Sequence, residues 1–240
     1  MVCPERMGMK RKNIGIMLKT LLGASVAVSL AVLQPAFAGF GFGSFAKKLE
    51  NSAGGVSPAL MAQQSKLIND FSGSQGQILV AQALLAKAFG DKTQAEELTA
   101  DGNALSQGAS AKPLEKAFAD SSRANAMIRS QIKKGAVISA KGKRLYLKAL
   151  PHYAGGLARA VAMRPDFPNF IANAESAVTS ASIVEKLSVK NKLAEGVYVA
   201  THAPGYIKGL QSTTGDLLTY AKKEKISVPS SVLNEIPAAP

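Results

Sequence analysis

Residues 75–89 read Gln-Gly-Gln-Ile-Leu-Val-Ala-Gln-Ala-Leu-Leu-Ala-Lys-Ala-Phe, and only Gln75, Gln77, Gln82 and Lys87 are strongly polar. A helix that is apolar almost all round cannot lie on a surface, so this stretch predicts the central helix of a bundle. Gly90 follows it as a C-cap. Nowhere does the chain carry a run of alternating polar and β-branched residues that would make a sheet. The fold class is therefore all-α: an antiparallel helical bundle or compact helical array of about seven to nine helices.

Upstream of the central stretch, Ser57-Pro58 is a helix start, with Ser as cap and Pro at the first helical position. Leu60, Leu67, Ile68 and Phe71 form its apolar stripe, and Gly73 is expected to end it. Before it, residues 39–56 form a Gly/Phe-rich segment with Phe40, Phe42 and Phe45 interleaved by glycine, read as a flexible packing arm.

Downstream, Asp91 to Ser106 is a helix with Thr93 and Glu96 at capping-box spacing. Pro113 opens the next, which turns Leu114, Phe118, Ile128 and Ile132 inward and closes at Gly135. From Ser139 to Met163, Tyr146, Leu150, Tyr153, Leu157 and Val161 recur at helical spacing, with Lys141, Lys148 and Arg159 nearly opposite. Pro151 is expected to kink or split this helix. Helices over about 167–182 and 183–201 follow, and Pro204 is expected to start the last long one, which carries Tyr206, Leu210, Leu217 and Tyr220. Lys222, Lys223 and Lys225 sit at its end, where cations suit the helix dipole. The single helical domain spans 57–227, and the Pro-rich tail, 228–240, is expected to be disordered.

The beginning of the chain has the organisation of a secretory signal peptide. Lys10, Arg11 and Lys12 precede an uncharged stretch from Leu21 to Leu33, and Ala36-Phe37-Ala38 supplies small residues at −3 and −1. A spanning helix needs about 20 apolar residues, more than this stretch holds. Residues 1–38 are thus expected to be cleaved, with the natural start at Met9 and no transmembrane segment afterwards. The expected location is periplasmic or secreted. No cysteine follows the apolar stretch, which disfavours a lipoprotein. Cys3 is the only cysteine of the chain, so the exported protein has no disulfide, thiol nucleophile or thiolate metal site.

Charge gives the first functional expectation. Without the leader the chain keeps 24 basic and 15 acidic residues. Between Asp120 and Asp166 there is no acid at all. That window holds Arg123, Arg129, Lys133, Lys134, Lys141, Lys143, Arg144, Lys148, Arg159 and Arg164. Arg129, Lys133, Lys134, Lys141, Lys143, Arg144, Lys148 and Arg159 are the candidate contacts for an anionic partner, an envelope component or an acidic protein. The simpler reading is a solvated basic face. Nucleic acid is disfavoured by export and by the lack of a base-stacking platform.

The chemistry of catalysis is thin. Ser44-x-x-Lys47 and Ser130-x-x-Lys133 lack the partner motifs of penicillin-binding enzymes, and no nucleophile elbow, zinc helix motif or phosphate loop occurs. Neither a metal nor a cofactor is expected. His152 and His202 each sit beside a proline, with Tyr146, Tyr153, Tyr198 and Tyr206 around them. If the two breaks met, these six residues could line a polar pocket; otherwise each imidazole bonds a carbonyl freed by proline. The expected function is a non-enzymatic binding protein of the cell envelope. The alternatives are a carrier of an apolar ligand or lipid and, third, a His-dependent enzyme.

Overall fold

The computed structural model describes residues 55–106 and 111–237. The expected leader and most of the Gly/Phe-rich segment lie outside these residues. The helices are α1 Pro58–Ala88, α2 Lys92–Ser106, α3 Ala111–Lys133, α4 Ala140–Ala162, α5 Asp166–Ser180, α6 Lys186–Lys223 and α7 Ser230–Glu235. There is no strand among the described residues.

α1 is the hub. It packs against α2, α3, α4, α5 and α6, and Ile78, Leu79, Ala81, Leu85 and Ala86 are fully buried. Its start is the expected one, with the Ser57 hydroxyl accepting from the Leu60 amide at 3.2 Å. Its length is not. The helix runs straight through Gly73 and Gly76, joining what the sequence divides in two. The reason is tertiary: residues 72–76 are buried where α4 crosses. There Ser74 Oγ donates to the Gly156 carbonyl at 2.7 Å. A Cβ on Gly156 would lie 2.9 Å from the Ile78 side chain and 3.0 Å from the Ser74 carbonyl oxygen. Small residues here allow two backbones to approach; they do not break a helix.

The prolines are overridden in the same way. α4 continues through Pro151 and α6 through Pro204. Both prolines face solvent, while buried residues on either side, Leu150 and Tyr153 in α4 and Ala203 and Ile207 in α6, hold the helix in register. Each proline removes one backbone donor, and flanking core packing keeps the turn closed.

Smaller differences have local causes. α2 is capped by Asp91, whose carboxylate accepts from the Gln94 amide at 3.0 Å, and not by Thr93. The turn before α6 is closed by Glu185, which accepts from Ser182 N at 3.3 Å and Ser182 Oγ at 2.7 Å. The segment expected as a tail forms α7, which packs on α4 with Val232 buried.

Strand direction has no counterpart here, but helix direction matters. Ser74 meets Gly156 and Ala88 meets Gly142, so α4 runs antiparallel to α1. Gln64 bonds the Lys192 carbonyl, and Gln75 and Gln82 bond the carbonyls of Ala117 and Ser121, so α3 and α6 run with α1. The C-terminal ends of α1, α3 and α6 therefore share one end of the bundle with the N-terminal end of α4.

Candidate functional site: a basic end and a groove between α3 and α6

Three of the helices at that shared end stop in the same way. After α1, α3 and α6 the chain turns through a left-handed residue: Gly90 (φ 90), Gly135 (φ 68) and Lys225 (φ 54). The next amide bonds back to the helix: Asp91 to the Ala86 carbonyl, Ala136 to Gln131, and Ile226 to Ala221. These are Schellman caps, which favour glycine at the left-handed position. Lysine occupies the third.

The ends are tied to one another. Tyr220 Oη donates to the Ala136 carbonyl at 2.6 Å, and Lys143 Nζ to the Glu224 carbonyl at 2.8 Å. Lys133 and Lys134 at the end of α3, Lys141, Lys143, Arg144 and Lys148 from α4, and Lys222, Lys223 and Lys225 at the end of α6 thus gather from three elements. Lys141, Arg144 and Lys148 lie on the outer face of α4 and are exposed.

The acid-free window is less free in space than in sequence. Asp120 pairs with Arg123, Asp216 with Arg129 at 2.7 Å, and the Glu224 carboxylate stands 4.0 Å from Lys143. Arg164 donates to Gln211 Oε1 at 2.5 Å. Among the described residues, Lys133, Lys134, Lys141, Arg144 and Lys148 meet no acid. Arg159 lies near the far end of α4, beside Gly73, apart from the cluster.

The six residues expected to line one polar pocket are placed apart. Tyr198, His202 and Tyr206 line an open groove of about 610 Å³ between α3 and α6, with Glu115, Phe118, Ala119, Ser122, Asn125, Ala126, Arg129, Gly205, Gly209 and Thr213. Tyr153, from α4, does not line it but lies buried beneath, bonded to Asn125. Tyr146 goes elsewhere, donating to the Leu217 carbonyl at 2.6 Å beside Tyr220. His152, half-buried on the outer side of α4, does not line the groove. His202 stacks on Tyr198 with centroids 4.2 Å apart, and its Nδ1 lies 2.8 Å from the Tyr198 carbonyl. A carbonyl only accepts, so Nδ1 carries the proton. That carbonyl is one helical turn back from His202 itself and is not the one freed by Pro204.

Beneath the groove lies a buried polar network whose polarity can be traced atom by atom. The Ser121 carbonyl can only accept, so the Gln82 atom 3.0 Å from it is Nε2, a donor. The same Nε2 lies 3.0 Å from the Asn125 amide, so the Asn125 atom facing it is the oxygen. Tyr153 Oη donates to that oxygen at 2.9 Å. Burial holds the phenols of Tyr153 and Tyr206 well above their ordinary range, so both remain protonated at neutral pH. Tyr206 Oη and Ser121 Oγ are bonded at 2.5 Å. With its oxygen doubly engaged inward, Asn125 must present its Nδ2 outward, to the groove.

Asn125, Ser121, Thr213 and Gln82 were not singled out by the sequence as site residues. One trace of them was there: Gln75 and Gln82, seven apart on an otherwise apolar central helix, had to find polar partners. Among the described residues no group of His, Cys, Asp and Glu could hold a metal ion, and no helix is long and apolar enough to cross a membrane. Comparison of the chain with protein-family models, with curated proteins and with solved structures finds no match.

Proposed function

We propose that the chain is an exported, non-enzymatic binding protein of the cell envelope that docks on an anionic surface through the basic end of its bundle. The observation that carries this reading is where the cations stand. At the ends of α3 and α6 a lysine suits the helix dipole and needs no further reason. Lys141, Lys143 and Arg144 instead crowd the first turns of α4, whose first turn has no acid. Positive charge there opposes the dipole. Lys225 adds a second such placement, a side chain held at a position where glycine is favoured. Charge kept where local physics disfavours it argues for an external anion.

Co-sedimentation with vesicles tests this. Binding to anionic vesicles is expected to fall about tenfold or more between about 50 and 300 mM salt, with little binding to zwitterionic ones. Joint reversal of Lys141, Arg144 and Lys148 to Glu abolishes it, whereas Arg159→Glu leaves most of it. Salt-insensitive binding, or equal loss from both variants, overturns the reading. Export is checked by the mass of the protein in the periplasmic fraction, expected to begin at Gly39. The groove favours a second reading, a carrier of a partly apolar ligand.

A further inference from the structure

We propose that the α3–α6 groove binds a long-chain carboxylate, its head held by Asn125 and Arg129 and its acyl chain laid along Phe118 and Tyr206 towards Glu115. This rests on the carrier reading and not on the basic end. The head group follows from the network beneath. Asn125 is only 8 % exposed, and its oxygen accepts from Gln82 and Tyr153. Its two remaining N–H bonds face the groove with no acceptor in the described residues. A donor facing the groove and held in place by two inward bonds is preorganised for an acceptor from outside.

Arg129 stands one helical turn further along the same face. Its Nε is engaged by Asp216 at 2.7 Å, which fixes the guanidinium and leaves the Nη donors unused. Amide and guanidinium together form a fork suited to a carboxylate. Glu115 sets the polarity of the groove: a carboxylate would be repelled at that end, whereas at the other end Arg129 already balances Asp216 and offers its Nη donors rather than a net charge.

The body of the ligand follows from the walls. Phe118 packs edge-on against Tyr206 and Tyr198, with centroids 4.9 and 5.9 Å apart. Small, exposed residues line its sides: Ala119, Ser122 and Ala126 on α3, Gly205 and Gly209 on α6. A Cβ at either glycine would meet nothing within 4 Å. From Asn125 back to Glu115 is ten residues of helix, about 15 Å. The result is an open furrow with a polar head and a largely apolar run, which an acyl chain could follow.

The test uses the mature chain and dodecanoate below its micellar concentration, with titration calorimetry. One molecule is expected to bind per chain. Methyl dodecanoate, which keeps the chain and loses the charge, is expected to bind about tenfold more weakly or worse. Asn125→Asp keeps the inward oxygen but turns the groove-facing atom from donor to acceptor, and should lose binding by at least about tenfold. Gly209→Leu fills the furrow without touching protein; it should abolish binding while the melting temperature holds or rises, because leucine is the better helix former. Lys141→Glu should leave dodecanoate binding intact, which separates this site from the basic end. Equal affinity for acid and ester, or full binding by a folded Gly209→Leu, overturns the proposal.

Discussion

Lys225 closes α6 with φ 54, where an L side chain crowds its own backbone. Lys225→Gly is expected to raise stability by about 1 kcal/mol while weakening binding to anionic vesicles. Chemical denaturation read beside co-sedimentation checks both, and a glycine variant that loses stability would remove the claim of strain. His152 gives the matching statement for pH. Burial lowers its imidazole below the ordinary value of 6.5, so in the interval below that value the unfolded chain binds a proton that the folded chain does not. The stabilisation is complete above about pH 6.5 and is lost as pH falls through the folded value. Denaturation midpoints taken across about pH 5 to 7.5 should fall on the acid side for the parent chain and fall less for His152→Gln.

At the scale of the element, the decisive contacts are those where a methyl group would not fit. A Cβ on Gly196 would lie 2.5 Å from the Phe170 ring and 2.8 Å from Gln64 Oε1, at the junction of α1, α5 and α6. Gly196→Ala should therefore cost about 1–3 kcal/mol despite its better helix propensity. The exposed Gly205→Ala, with nothing near its Cβ, should stabilise by about 0.5–1 kcal/mol. Urea titrations of the pair separate packing from propensity. These glycines also show where reading the sequence stops. The stripe from Tyr146 to Leu157 was legible because a helical face repeats within one element. Gly73 and Pro204 do not break their helices, and Pro151 does not split its own, because local preferences are outweighed by neighbours up to 82 residues away, such as Gly156 bonded to Ser74.

For the whole molecule, the same distinction governs charge. The acid-free window was legible as a count, but the partners of Arg123 and Arg129 come from Asp120 and from Asp216 on another helix. Asn125 was illegible for a related reason: its orientation is set by Gln82 and Tyr153, 43 and 28 residues distant. What remains at the basic end is a set of like charges from three helix termini, which repel one another in the folded state. Raising salt from about 20 to 200 mM should therefore raise the melting temperature, and Lys141→Glu should raise it at low salt and flatten that response. Calorimetric scans decide the matter; a parent chain whose melting point drops with salt would contradict it.

The position of α1 has a consequence in time. It is the first described helix to be made, and α6, which completes its enclosure, is nearly the last: Gln64 waits for Lys192 and Gly196, 128 and 132 residues later. At roughly 5–20 residues per second of synthesis, the face that α6 covers stays bare for about 6 to 26 seconds. A nascent chain in that condition cannot complete its core early. On the proposed export, late closure of the hub would keep the chain fit for passage through a membrane pore before folding.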